Sequence, residues 1–339
     1  MRVFVTGGSG FVGSYVVAEL VGRGDVVRLL VRSRDKAARV LAERGVDLED
    51  LEVVTGDMCD PALVRDAVRG CDATVHAAAA IGMTGRDAGD VFDVNTTGAH
   101  TVIGAAVEAG HDPVVHVSSI AVFVPPDGPV IGVDSRLASP RSPYGRSKVA
   151  VEDEMRRYQT DLAPVVIAYP GGVIGPGAPS VDATIDGLRG ARVGGWPKTV
   201  GGVAVIDVRD LATAIAAAVA PGLGPRRLML GGRYLPWAEL GALLDDVCGV
   251  RARRVPLPKP VIMTVAGALD LLRRVRPVAY PLSRDAAEMM TTMVPTDDEP
   301  TLNGLGVVLR PTRDSFEDTF RWLVAAGHLD PKFAPRLVI

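Results

Sequence analysis

Cysteine is scarce in this 339-residue chain: Cys59, Cys71 and Cys248 form no Cys-x-x-Cys pair and leave an odd count. That argues against a disulfide framework and for a reducing compartment, with the thiols as small buried hydrophobes and no metal site expected. Aromatic residues make up only 5%, and the net charge of -3 lacks the basic footprint of a nucleic-acid-binding protein. Long apolar runs are missing too. The longest apolar helical stretch near the C-terminus, Val261 to Leu272, carries Thr264 and Asp270 and falls short of the ~20 residues that span a bilayer. Predicted structure begins at Arg2, so no cleavable signal peptide is expected and the cytoplasm is the expected compartment. No internal repeat or low-complexity segment interrupts the chain.

What is present is glycine in a particular place. Residues Met1 to Gly13 read MRVFVTGGSGFVG: an apolar run, Val3 to Val5, then Gly7, Gly10 and Gly13, then a helical segment from Phe11 to Leu20. In such a strand–turn–helix unit the first glycine permits the turn, the second lets backbone approach a pyrophosphate, and the third allows close helix–strand packing. The helix N-terminus supplies unpaired N–H groups and a partial positive charge. A dinucleotide site is therefore expected.

A second strand, Val26 to Val31, runs straight into Arg32, Ser33, Arg34 and Lys36. The carboxylate that accepts from the ribose of NAD is missing there. Arg32 instead offers a planar cation suited to a 2′-phosphate, with Lys36 or Arg39 as a second charge, which favours NADP. Further strands are expected at Leu51–Val54, Ala73–His76, Val114–Val117 and Val165–Ala168. Helices are expected at Pro61–Val68, about Val91–Ala109, and after Ser142–Pro143, a sound N-cap and first turn. This alternation implies an α/β, Rossmann-type doubly wound parallel sheet with its ligand beyond the carboxyl ends of the strands. After Gly175-Pro176-Gly177 the alternation becomes irregular. Residues 1–172 are read as the cofactor-binding domain, with 203–232 returning to it, and 173–202 with 233–339 as a smaller, partly interleaved substrate-binding region.

Tyr144 and Lys148 stand four apart, on one face of a helix. A neighbouring ammonium and an oxidised nicotinamide favour ionisation of a phenol, so Lys148 beside a bound cofactor is expected to lower the Tyr144 pKa and fit it for proton exchange. Ser119 lies upstream at the end of a strand, on the expected cofactor side. His76 reads as a structural histidine rather than a catalyst, and Ser118 as a strand-end hydroxyl.

Taken together, TGGSGFVG at Thr6–Gly13, GDMCD at Gly56–Asp60, HAAAA at His76–Ala80, NTTG at Asn95–Gly98, VSSIAVF at Val117–Phe123, SPYGRSKVAVE at Ser142–Glu152, YPGGVIGPG at Tyr169–Gly177 and VIDVRDLATA at Val205–Ala214 resemble the extended short-chain dehydrogenase/reductase superfamily. The resemblance covers roughly residues 1 to 240. LLVRS at Leu29–Ser33 resembles the dihydroflavonol reductase group and its bacterial relatives. The resemblance implies Ser119, Tyr144 and Lys148 as the catalytic triad, with Asn95 supporting the active-site helix and a proton route. It implies a cofactor held by Thr6, Gly7, Gly10, Phe11, Val12 and Gly13; by Arg32 and Lys36; by Asp57 and Met58; by Ala77, Ala78 and Ala79; by Tyr144 and Lys148; and by Pro170, Gly171 and Val173. Two departures, Tyr169 where many sugar-nucleotide members have arginine and Asp207 where many have histidine, disfavour a nucleotide-sugar epimerase.

The expected activity is NADPH-dependent reduction of a carbonyl on a small hydrophobic substrate, or the reverse oxidation. The alternatives are a 3β-hydroxysteroid dehydrogenase-like enzyme or nucleotide-sugar epimerase/dehydratase using NAD, and a non-catalytic NAD(P)-sensing regulator, which commonly lacks the Tyr/Lys pair kept here. Ile81, Met83, Ile120, Val122, Phe123, Val173, Ile174 and Trp196 are expected to line an apolar pocket. A small-molecule substrate is the expected partner. Oligomeric state stays open, with a homodimer the form relatives often take.

Overall fold

The computed structural model describes residues 1–80, 88–273 and 282–338. Through the first half, strands and helices alternate: β1 (Arg2–Thr6), α1 (Phe11–Gly22), β2 (Val26–Val31), α2 (Arg34–Ala42), β3 (Glu52–Thr55), α3 (Pro61–Val68), β4 (Ala73–His76), α4 (Ala88–Glu108), β5 (Val114–Val117), α5 (Pro143–Thr160) and β6 (Val165–Pro170). The second half follows as β7 (Gly172–Ile174), α6 (Ala183–Gly194), β8 (Trp196–Lys198), β9 (Gly202–Asp207), α7 (Val208–Ala218), β10 (Arg226–Leu230), β11 (Arg233–Pro236), α8 (Trp237–Cys248), β12 (Arg254–Pro256), α9 (Lys259–Arg273), α10 (Arg284–Thr292), α11 (Glu299–Leu305) and α12 (Thr312–Ala325).

Seven parallel strands form the central sheet in the order β10-β6-β5-β4-β1-β2-β3. The chain starts in the middle and winds outward both ways, so the order reverses between β1 and β4 and opens a crevice at their carboxyl ends. β4, β5 and β6 are buried along their whole length, as their near-continuous β-branched and apolar runs require of a sheet covered on both faces. One core, including Val16, Leu20, Leu29 and Ile215, fills the face under α1 and α7. The opposite face is filled by Ile103, Met155 and Ile167 beneath α4 and α5, and by Phe4 and Val102 beneath α3 and α4.

Helix starts follow local chemistry. Asp60 accepts from the Ala62 and Leu63 amides ahead of α3, and Ser142 accepts from Gly145 N at 3.1 Å ahead of α5, with Pro143 in the first turn. Of the 203–232 stretch, α7 packs on α1 and β10 extends the central sheet, whereas β9 lies in a separate three-stranded sheet with β7 and β11. That small sheet packs with α6, α8 and α12 around Trp196, Trp237, Phe316 and Phe320. Among the described residues, no helix is long and apolar enough to cross a membrane.

Candidate active site

The crevice between β1 and β4 begins with a lock between their ends. Thr6 and His76 are register partners, and the Thr6 hydroxyl meets His76 Nδ1 at 2.8 Å in a buried bond. Thr6, expected among the cofactor residues, therefore has its side chain engaged within the protein. His76 stacks on His116 with ring centroids 5.5 Å apart. Burial, with the nearby Lys148 charge second, pushes the His76 pKa down to about 3, so this pair is neutral structure.

The glycine turn is built for close approach. Gly7 has φ +82°, and a Cβ there would stand 2.5 Å from Ala78 N, so the turn lies directly against Ala77–Ala78. A Cβ on Gly13 would collide with the Gly7 carbonyl, which the α1 backbone touches. Gly10 N donates to Gly7 O at 2.8 Å, and Gly10 precedes α1 with no side-chain cap and no acidic residue in the first turn. Phe11 and Val12 follow in that first turn. The N–H groups of α1 are thus left for an outside acceptor, which fits a pyrophosphate.

Arg32 leaves β2 fully exposed, and no carboxylate among the described residues pairs with it. Ser33 caps α2 by accepting from Lys36 N at 3.2 Å, and the Lys36 side chain is exposed in the same turn. A cation and a helix N-terminus therefore stand side by side just past the end of β2. Asp57 is exposed, with Oδ1 accepting from Cys59 N at 2.8 Å, and Met58 is wedged against Gly98 of α4. Gly171 is glycine for packing: a Cβ there would strike the Gly231 carbonyl. Pro170 is buried beside it, and Val173 is half-buried against the core under α1 and α7.

On α5, Tyr144, Lys148, Glu152 and Arg156 recur every four residues. Lys148 is buried, its Nζ 5.9 Å from the Tyr144 ring centroid and donating to Val117 O at 3.0 Å. Burial lowers the ammonium to about 8, opposed by the charge of Glu152. Within the protein alone, Tyr144 is pushed up to about 12, first by burial and then by Asp182. Asp182, the N-cap of α6, is itself raised to about 6 by burial. It is a titratable group acting on Tyr144 that the sequence motifs did not flag. Ser119 is half-buried, and its Oγ accepts from Ala121 N at 3.1 Å, leaving the hydroxyl hydrogen available to donate outward.

One neighbour differs from expectation. Ser118 does not close the strand end: its hydroxyl donates to Glu152 Oε2 at 3.3 Å. Glu152, fully buried, also accepts from Tyr169 Oη at 2.5 Å and from Arg156 Nε at 2.8 Å. Asn95 faces the protein on every side, accepting from Ala80 N at 2.7 Å and donating to Ala80 O at 3.0 Å and Ser147 Oγ at 3.1 Å. That arrangement makes it a positioning residue, stapling the Ala77–Ala80 segment to α4 and α5.

The expected apolar lining is largely corrected. Ile120, Val122 and Phe123 are buried in the core under α4 and α5, and Ile174 and Trp196 in the core of the smaller region, because each lies on an inward-facing turn or strand. Ile81 and Met83 lie outside the described residues. Tyr169 packs edge-on against Phe123 at 4.9 Å. Two basic residues of α6 are committed within the protein, Arg192 buried on Asp245 at 2.7 Å and Arg189 on Asp186 at 2.5 Å, whereas Lys198 of β8 is exposed.

A parallel sheet with this strand order, a glycine turn against its switch point and a Tyr-x-x-x-Lys helix across the crevice define a nucleotide-cofactor oxidoreductase. The chain belongs to the NAD dependent epimerase/dehydratase family, whose profile matches residues 3–231. It is similar to sterol demethylase protein B of Methylococcus capsulatus, at 27% identity over 96% of this chain and 99% of that protein. It is also similar to a 4-hydroxy-2-methyl-3-oxo-4-farnesyl-3,4-dihydroquinoline-1-oxide ketoreductase of Stigmatella aurantiaca, at 28% identity over 96% of this chain and 98% of that protein. Among solved structures it resembles DesIV, a dTDP-glucose 4,6-dehydratase from Streptomyces venezuelae with NAD bound, with TM-score 0.72 and 26% identity over 98% of this chain and 99% of that one. The protein is accordingly an NAD(P)-dependent enzyme of oxidoreductase type, of the extended short-chain dehydrogenase/reductase class.

Proposed function

We propose that the protein is an NADPH-dependent reductase of a hydrophobic ketone or aldehyde. The observation that carries the reading is the face of α5, where Tyr144 stands one helical turn before the buried Lys148, whose Nζ lies 5.9 Å from the phenol ring centroid, with the half-buried Ser119 hydroxyl just past the end of β5. The dinucleotide, when bound, supplies the hydride. Ser119 donates a hydrogen bond to the substrate carbonyl oxygen, and Tyr144 delivers its proton to that oxygen as charge develops there. Lys148 would hold the nicotinamide ribose, and its positive charge favours the phenolate left behind. Gly7, Gly10, Gly13 and the first turn of α1 would cradle the pyrophosphate, with Arg32 and Lys36 at the 2′-phosphate.

The substrate class is supported by where the cations are. A sugar nucleotide brings a pyrophosphate that needs several of them, and Arg189 and Arg192 are held by Asp186 and Asp245, while Tyr169 occupies the position of a further arginine. The farnesylated ketone named for the Stigmatella relative is of the favoured kind. Initial rates with NADPH on a panel of hydrophobic ketones, set against UDP-sugars, test the reading. Ketone turnover is expected, lowered roughly 10²–10⁴-fold in Tyr144→Phe, with the preference for NADPH over NADH lost in Arg32→Asp. Turnover of the UDP-sugars alone would refute it.

A further inference from the structure

A helix at a protein surface normally turns its charges to water and its apolar side chains to the core. α9 is apolar on its outer face as well as its inner one. Ile262 and Ala266 face inward onto Ala287 of α10, and its late charges turn toward the protein as well. Asp270 meets Arg273 at 2.6 Å and accepts from Arg284 N at 2.9 Å, and Arg273 donates to Leu282 O at 3.0 Å. The outward face carries Val261, Thr264, Val265, Ala268 and Leu271, with Val261 and Val265 each 46% exposed and Leu271 63% exposed. Its single hydroxyl, on Thr264, is taken up by the Pro260 carbonyl at 2.8 Å. Among the described residues that face holds no charged side chain.

We propose that the outer face of α9 seats the protein on a lipid surface bearing anionic headgroups. Charge around the stripe is complementary to such a surface. Lys259 opens α9 and Arg284 opens α10, both exposed, with the Arg284 guanidinium beside Gly267 of α9. The nearby carboxylates each have a partner in the protein, Asp270 as above, Glu288 with Arg141 at 3.6 Å and Asp285 with the Arg141 and Ser142 amides. An apolar helix face rimmed by cations is the arrangement that lies in a membrane interface. A second copy of the chain is a poorer match, because five side chains of one helix fall well short of the ~800 Å² that each partner contributes to a standard interface.

The position of this face gives it a use. Asp285 of α10 accepts from Ser142 N at 2.6 Å and Arg141 N at 3.1 Å, at the entrance to the helix that carries Tyr144. A substrate dissolved in the bilayer would thus meet the protein on the side tied to its proton donor. This last step rests on the hydrophobic-substrate reading, whereas the docking itself does not.

Co-sedimentation of the full-length protein with phosphatidylglycerol/phosphatidylcholine vesicles tests the docking without any assay of activity. Binding is expected, weaker by roughly tenfold or more when Val261, Val265 and Leu271 are all changed to Glu, and weakened by salt. Ala268→Trp, at an exposed position that leaves folding undisturbed, is expected to blue-shift its emission on adding the vesicles. Failure of the wild type to pellet, unchanged pelleting of the triple variant, or an unshifted Ala268→Trp would each overturn the proposal. So would light scattering that finds a dimer dissolved by the triple substitution with no vesicle binding. Ketone turnover without vesicle binding would sink the docking and leave the reductase reading standing.

Discussion

At the scale of single residues, two groups on α5 move their pKa values in opposite directions for one reason. Burial disfavours the charged form of each, so the Tyr144 phenol rises to about 12 while the Lys148 ammonium falls to about 8. Under the proposed mechanism Tyr144 therefore keeps its proton throughout the range in which Lys148 titrates, and the alkaline limb of activity is expected to belong to Lys148. Below about 8 the ammonium is charged, and above that value the charge is lost. The pH profile of kcat/KM for ketone reduction is expected to be flat on the acid side of about 8 and then to fall by about one log unit per pH unit. Glu152 holds the ammonium pKa up, so Glu152→Gln should carry that fall to lower pH. Stopped-flow rates from pH 6 to 10 check both, and an inflection that ignores Glu152→Gln would detach Lys148 from it.

At the scale of elements, the sequence disclosed what repeats and left hidden what folds back. Val26–Val31, Pro61–Val68, Ala73–His76 and Val114–Val117 are read with the boundaries that the structure has, because β-branched runs and an Asp60-Pro61 cap are local signals. The lining of the pocket was not legible. Val122 and Trp196 occupy loops by sequence order, yet whether a loop side chain faces a cleft or a core is decided by contacts distant in the chain. Asn95 belongs to the same class: its motif marks it out, but only the fold brings it to Ala80 and Ser147. Replacing it with Ala leaves the Ala80 N–H and C=O without partners, at a cost of roughly 1–3 kcal/mol. Asn95→Ala should therefore melt several degrees lower and bind NADPH more weakly, as the segment facing Gly7 loosens. Calorimetry and a dinucleotide titration measure the two effects, and a variant with neither would remove the staple from the account.

At the scale of the whole molecule, the cofactor end and the substrate end are assembled by different means. The glycine turn, Arg32 and α5 stand on the central sheet, whose parallel strands hold them from both faces. The smaller region has its own core around Trp196 and Phe316, and among the described residues Asp285 of α10 ties it to the start of the helix that carries Tyr144. Its carboxylate accepts two backbone N–H groups at the entrance to α5, a charge-assisted pair that fixes where α10 stands relative to Tyr144. Nothing in the sequence around Asp285 signals this, since the partner amides lie over 140 positions earlier. Removing the carboxylate should let the substrate side shift while leaving the dinucleotide cradle intact, and small misplacements are felt strongly in positioning. Asp285→Ala is accordingly expected to raise KM for a ketone by about tenfold with NADPH affinity unchanged, whereas Asp285→Asn, which keeps one acceptor oxygen, should recover part of the loss. Parallel measurement of ketone KM and NADPH Kd in the two variants decides it. Equal damage to both quantities would mean that α10 supports the whole fold rather than the substrate side.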